Sequence, residues 1–308
     1  MYGKIDIHEL AKFGNLEFVA KQVVEGFITG MHRSPFHGFS VEFAEHRLYN
    51  TGESTKHIDW KLFAKTDKLF VKRYEEETNL RCRIILDVSS SMYFPEISDE
   101  YPLNKLGFSV YAIASLVEIL KKQRDGVGLT IFEDKILSDT AIKTSAAHHR
   151  RLYHELEQLM VKQQEHLNHK TSLANILHNV AETNHRRSLI VIFSDFFSNE
   201  SLDEITDAFL HLKHNKHEVL LFHVIDKKHE AELNFPNKPT TFIDLETGEK
   251  VKLHPSEIKK SFQKEVDAVT KELKLKCTQF KIDFVEADIK EGVEFVLQQY
   301  LIKRQKII

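Results

Sequence analysis

From residue 84 onward, short apolar runs alternate with longer segments whose apolar residues recur at helical spacing. Ile84–Val88, Val127–Phe132, Leu189–Phe193, Glu218–Val224 and Gln279–Val285 read as strands. Helices are predicted at Lys105–Lys122, 147–164, 171–183, Ser201–Lys213, Ser256–Leu273 and Val293–Ile302. The first of these is apolar round most of its circumference, through Leu106, Phe108, Val110, Ile113, Leu116, Val117 and Leu120, which predicts a buried helix. Lys135–Leu137, after the Glu133-Asp134 turn, reads as an antiparallel edge strand. Thr241–Leu245 and Glu249–Leu253 read as a small hairpin around Thr247-Gly248. Strands separated by helices predict a doubly wound, mostly parallel α/β sheet covered on both faces.

Upstream of residue 80 the pattern changes. Leu10, Phe13, Leu16, Val19 and Val23-Val24 predict a helix over 5–31, closed by Gly30. A turn-rich stretch follows at His32–Gly38, then a charge-dense segment with short strands at 39–43 and 68–75 and a short turn or helix at Asp59-Trp60. The composition shift gives one boundary, with a small N-terminal α+β region at 1–80 and a larger domain at 81–308.

Composition narrows the class. The 308 residues are 42% apolar and 29% charged, enough for a sizeable core. A net charge of −3 gives no global basic field for nucleic acid or a membrane surface. Two cysteines, Cys82 and Cys277, give no disulfide framework and read as buried thiols in a reducing compartment. No apolar run is long enough to span a bilayer, and Asp6, Glu9 and Lys12 break up any signal-like start, so a cytoplasmic protein is expected. The 18 histidines are scattered; His148-His149, His166 and His169 read as solvated surface and not as a zinc site.

The candidate chemistry lies at the end of the first strand of the large domain. Asp87, Ser89 and Ser91 are spaced i, i+2, i+4 where a parallel strand hands over to a loop, the edge at which open α/β sheets bind ligands. Asp195 follows a second buried strand, and Thr171 opens a helix after a polar loop. Each position alone also reads as a turn or a helix cap. Together, two carboxylates and three hydroxyls form a hard-oxygen set suited to Mg²⁺ or Mn²⁺.

Asp87-x-Ser89-x-Ser91, Thr171 and Asp195 resemble the metal-ion-dependent adhesion site of von Willebrand factor A domains. His32-Arg33-Ser34, Glu42-Phe43-Ala44-Glu45-x-Arg47-x-Tyr49, Gly52-Glu53, Ile58-Asp59-Trp60, Lys72-Arg73-Tyr74-Glu75-x-Glu77, Asp125-Gly126-Val127-Gly128-Leu129 and Asp244-x-Glu246-Thr247-Gly248-Glu249 resemble the bacterial DUF58 family. The resemblance implies an A-type domain coupled to the N-terminal block. It also implies a non-enzymatic adaptor; from their charge, the five residues are expected to hold one Mg²⁺ or Mn²⁺ with a coordination position open for a partner carboxylate. Its partners would be a MoxR-type AAA+ ATPase or other A-domain proteins, in the assembly or maturation of other proteins. Arg47, Asp59, Trp60, Arg73 and Glu75 then form either a structural polar network or a docking surface.

Two other functions are weaker. A dehalogenase-type phosphatase needs a second carboxylate two residues after the nucleophilic aspartate, and that position is Ser89. Single-strand binding would use His32-Arg33, His46-Arg47, Lys61, Lys65, Lys68 and Lys72-Arg73 interleaved with Trp60, Phe63, Phe70 and Tyr74. Glu42, Glu45, Glu53 and Glu75–Glu77 stand close enough in sequence to pair with those cations.

Overall fold

The computed structural model describes residues 15–30, 45–48, 60–73, 80–161, 172–196 and 200–307. The chain divides into two units: residues 1–32 with 80–308, and residues 33–79. The sequence places one boundary near residue 80; the structure has that boundary and a second after His32. Helix α1 (Leu16–Gly30) therefore belongs to the larger unit. Its buried stripe of Leu16, Val19, Ala20, Val23 and Val24 explains why, since a helix with one apolar face must bury it.

In the smaller unit, β1 (Glu45–Leu48) pairs antiparallel with β2 (Phe70–Arg73), placing Glu45 opposite Arg73 and Arg47 opposite Val71. Between them α2 (Trp60–Thr66) opens on Trp60, which is 59% exposed and meets Phe63 edge to face. Strand β1 was not legible because Glu45-His46-Arg47-Leu48 holds a single apolar residue. The strand expected at 39–43, and Asp59 and Glu75, lie outside the described residues.

The larger unit continues with β3 (Arg81–Asp87), α3 (Lys105–Lys122), β4 (Gly126–Phe132), β5 (Ile136–Asp139), α4 (Ala146–Val161) and α5 (Leu173–Thr183). Then come β6 (Leu189–Ser194), α6 (Leu202–His214), β7 (Glu218–Ile225), the hairpin β8 (Thr240–Ile243) and β9 (Lys250–Leu253), α7 (Pro255–Gln279), β10 (Asp283–Asp288) and α8 (Val293–Ile307). Six strands form one sheet in the order β10-β7-β6-β3-β4-β5, parallel except for the edge strand β5. Strand β10 starts four residues later than the sequence pattern suggests. Leu273 and Cys277, at i and i+4, carry the buried stripe of α7 on to Gln279.

On one face α5, α6 and α7 pack through Leu177, Phe209, Leu273 and Cys277 onto Ile85, Ile190, Ile192 and Leu221. Ile84 and Leu86 alternate to the other face, where α3 crosses the sheet and meets α1, α4 and α8. Lys121 on α3 pairs with Glu17 of α1 (3.0 Å) and Glu118 (3.2 Å), and Tyr153 of α4 donates to Glu118. His148 and His149 are buried, not solvated: His148 Nε2 bonds the Val127 carbonyl at 2.8 Å, which draws the start of α4 onto β4. Both cysteines are buried, and burial pushes the Cys277 thiol up to about 12. Among the described residues, no helix is long and apolar enough to cross a membrane.

The Gly126-x-Gly128 pair has a steric cause. Arg83 reaches across β4 to Asp139 (2.7 Å), the Thr140 carbonyl and Asn184. A Cβ on Gly128 would stand 2.8 Å from the Thr140 carbonyl oxygen and 3.0 Å from the Arg83 guanidinium. Neither neighbour can retreat without breaking a buried hydrogen bond. Gly128→Ala should therefore destabilise the protein by about 1–3 kcal/mol in urea titrations; an unchanged midpoint would contradict this packing.

Candidate metal site at the strand crossover

The chain runs from β3 outward through β4 and β5, then returns to start β6 on the other side of β3. The order of the strands reverses between β3 and β6, which is the place where open α/β sheets bind ligands, outside the carboxyl ends of the strands. Asp87 closes β3, and Asp195 directly follows β6. Leu86 lies opposite Phe193, so the two aspartates sit on adjacent strands at the same rim. This is the juxtaposition that the sequence spacing requires.

Local bonds fix each oxygen. Asp87 Oδ1 accepts from the Ser89 backbone N–H at 2.9 Å, and Oδ2 accepts from the Ser194 hydroxyl at 2.7 Å. The loop turns into a short 3₁₀ segment at Ser90–Tyr93, which brings the Ser89 and Ser91 hydroxyls within 3.2 Å of each other. Ser194 Oγ also accepts from the Phe196 backbone N–H, at a residue held in left-handed conformation (φ 55°). His223 donates from Nε2 to the Asp195 carbonyl at 3.0 Å; burial lowers its pKa and keeps the ring neutral. Thr171 lies outside the described residues. Its neighbour Ser172 donates to the Glu133 carbonyl just past β4, so α5 begins at the same rim.

Sequence reasoning missed three participants: Ser194, Lys105 and Glu230. Lys105 is the first residue of α3, fully buried, and its ammonium bridges Asp195 Oδ2 (2.6 Å) and Glu230 Oε1. Glu230 comes from the single π-turn Lys227–Ala231 after β7, and its second oxygen accepts from the Asp226 N–H at 2.8 Å. Asp226 in turn holds His229 (2.5 Å), whose other nitrogen faces the Tyr101 hydroxyl at 3.5 Å. The one available signal was a lysine at the start of an otherwise apolar helix, where the macrodipole disfavours a cation.

The electrostatics follow from burial. Asp87 is pushed up to about 7, first by loss of water and then by the charge of Asp195, despite its bonds from Ser194 and Ser89. Glu230 is raised by burial and by Asp195 even though Lys105 touches it. Burial works against the Lys105 ammonium, but Asp195 and Glu230 outweigh it and raise its pKa, so it stays protonated. The Lys105 ammonium pairs with Asp195 and Glu230, and together with Asp87 these four groups carry two net negative charges when all three carboxylates are ionised.

The donor set fits a divalent hard cation. Asp87, Ser89, Ser91 and Asp195 offer oxygens only, and the residual charge matches one Mg²⁺ or Mn²⁺. Among the described residues, no group of three or more His, Cys, Asp or Glu is arranged to hold a metal, so a site here depends on the hydroxyls. Of the candidate docking residues, Arg47 and Arg73 lie on the paired strands β1 and β2, and Trp60 opens α2, all in the smaller unit.

A mostly parallel six-stranded sheet with helices on both faces, with Asp87 closing one inner strand and Asp195 following the next, is a doubly wound α/β domain. The chain belongs to the DUF58 family, described as "Protein of unknown function DUF58", which matches residues 45–272. An uncharacterized protein of Mycobacterium bovis is 25% identical over 227 residues, covering 73% of this chain and 68% of the relative. Among solved structures, an aerotolerance-related membrane protein from Bacteroides fragilis aligns with 15% identity and a TM-score of 0.48, over 73% of this chain and 99% of its own. The SpRpn10 VWA domain aligns with 15% identity and a TM-score of 0.34, over 47% and 75% respectively.

The raised Asp87 sets a pH dependence. Its carboxyl ionises near 4 in the unfolded chain and near 7 in the fold, so the native state holds the proton longer. Its contribution to stability is present below pH 4 and is lost as pH rises to 7. In EDTA, Asp87→Asn should therefore gain stability relative to wild type between pH 4 and pH 7. A constant difference across that range would show that Asp87 titrates normally.

Proposed function

We propose that this protein is a non-enzymatic, metal-dependent interaction module. Asp87, Ser89, Ser91 and Asp195, with Thr171 as the fifth residue of the sequence motif, would hold one Mg²⁺ or Mn²⁺. The bound ion would supply a Lewis-acidic position for a carboxylate of a partner protein. The chain's own residues do the rest. Ser194 and the Ser89 N–H orient Asp87, His223 fixes the backbone at Asp195, and Lys105 with Glu230 anchors the Asp195 side chain. The observation that carries this reading is the buried rim on which two adjacent strand ends bring two carboxylates close enough to feel each other's charge, beside two hydroxyls 3.2 Å apart.

Acid–base catalysis at the rim has less support. The position two residues after Asp87 is a serine, which has no carboxyl group to act as acid or base and whose hydroxyl lies 3.2 Å from that of Ser91. The family resemblance makes a MoxR-type AAA+ ATPase, or another A-domain protein, the first partner to try.

Isothermal titration should give one Mg²⁺ or Mn²⁺ per chain for the wild type and none for Asp87→Ala. Equal binding by the two proteins would remove the site from this rim. Pull-down of a MoxR-type ATPase should be lost in EDTA and restored by Mg²⁺; retention in EDTA would move the docking surface to residues 33–79.

A further inference from the structure

Lys105 is an unusual choice of residue for its position. The Asn104 side chain caps α3 by accepting from the Gly107 N–H at 2.7 Å, which fixes the helix start and with it the Lys105 backbone. The ammonium then sits without solvent contact at the positive end of a helix dipole. Burial and dipole both oppose it, and replacing such buried ion pairs with apolar side chains is often neutral or stabilising. Stability alone is thus a poor reason for a lysine here. The charge is also directed: it takes one oxygen of Asp195, while Glu230 is anchored from behind by the Asp226 N–H.

Resting on the metal-binding reading above, we propose that Lys105 is a tethered counter-cation of the metal site. It neutralises part of the rim when no metal is bound, and it repels an arriving divalent ion when one is. The consequence is a site limited to a single ion and held loosely enough to exchange. Lys105 and Glu230 set that affinity in opposite directions. The ammonium weakens metal binding, and the Glu230 carboxylate strengthens it by holding the ammonium away from Asp87 and compensating its charge.

The opposed signs make the test specific. Removing one positive charge from within a few ångströms of a divalent ion should tighten binding at least tenfold, even at the effective dielectric of a protein surface, ~20. By titration calorimetry, Lys105→Met should bind Mn²⁺ at least about tenfold tighter than wild type, and Glu230→Gln should bind it about tenfold weaker. Saturating Mn²⁺ should also raise the Tm of Lys105→Met more than that of wild type. A lysine with a purely structural role would shift both variants in the same direction, or neither.

Wild-type binding with unchanged or weaker binding by Lys105→Met overturns this proposal and leaves the metal reading intact. If neither protein binds Mn²⁺, both fall. Binding by Lys105→Met alone supports the lysine as the occupant that stands in for the metal. Should Lys105→Met fail to fold, Glu230→Gln decides: binding equal to or tighter than wild type overturns the proposal.

Discussion

The structure turns on one ammonium in a dry place. Lys105 Nζ lies between Asp195 and Glu230 at the point where the sheet reverses its winding. Three elements distant in sequence meet there: the start of α3, the end of β6 and the turn after β7. Desolvating these groups is tolerable only because each has a partner, and removing a partner would strand a buried charge. That ties the geometry of the rim to the integrity of the sheet's centre, while Asp87 is held by the Ser89 N–H and the Ser194 hydroxyl.

The rim has a clear physical economy. Parallel strands deliver their carboxyl ends to one edge, and the winding of the sheet reverses between β3 and β6 at that edge. Asp87, Ser89, Ser91 and Asp195 there are short and polar, and the long side chains of Lys105 and Glu230 pack beside Asp195. Around them, α1 and α4 brace α3 through Glu17, Lys121, Glu118 and Tyr153, which fixes the helix that carries Lys105. The distal hairpin β8–β9 is closed by a turn in which Asp244 Oδ1 accepts from the Glu246 and Thr247 N–H groups, with Gly248 at φ 75°. That accounts for the Asp-x-Glu-Thr-Gly-Glu sequence as turn chemistry.

Much of this was legible in the chain. The strand–helix alternation is a local signal, and Asp87 and Asp195 follow apolar runs that could only be buried strands. Parallel topology put both at one edge of the sheet; that their strands are neighbours is a property of the strand order. What was not legible depends on long-range contact. Lys105 and Glu230 are 125 residues apart, and nothing local in either says that they touch. His148 and His149 sit in polar sequence yet are buried, because α4 is drawn onto β4 by a single imidazole–carbonyl bond. Helix α1 joined the larger unit for a reason the composition shift could not report, an apolar stripe matched to α3.

The central claim is that the rim of β3 and β6 is a cation site made by two carboxylates and two hydroxyls beside a resident ammonium. Anomalous diffraction at the manganese edge from crystals of the full chain soaked in Mn²⁺ tests it most directly. The account predicts one strong peak within coordination distance of Asp87 and the Ser89 and Ser91 hydroxyls, with Lys105 still on Glu230. No peak at that rim, or manganese bound only at surface carboxylates, would contradict it.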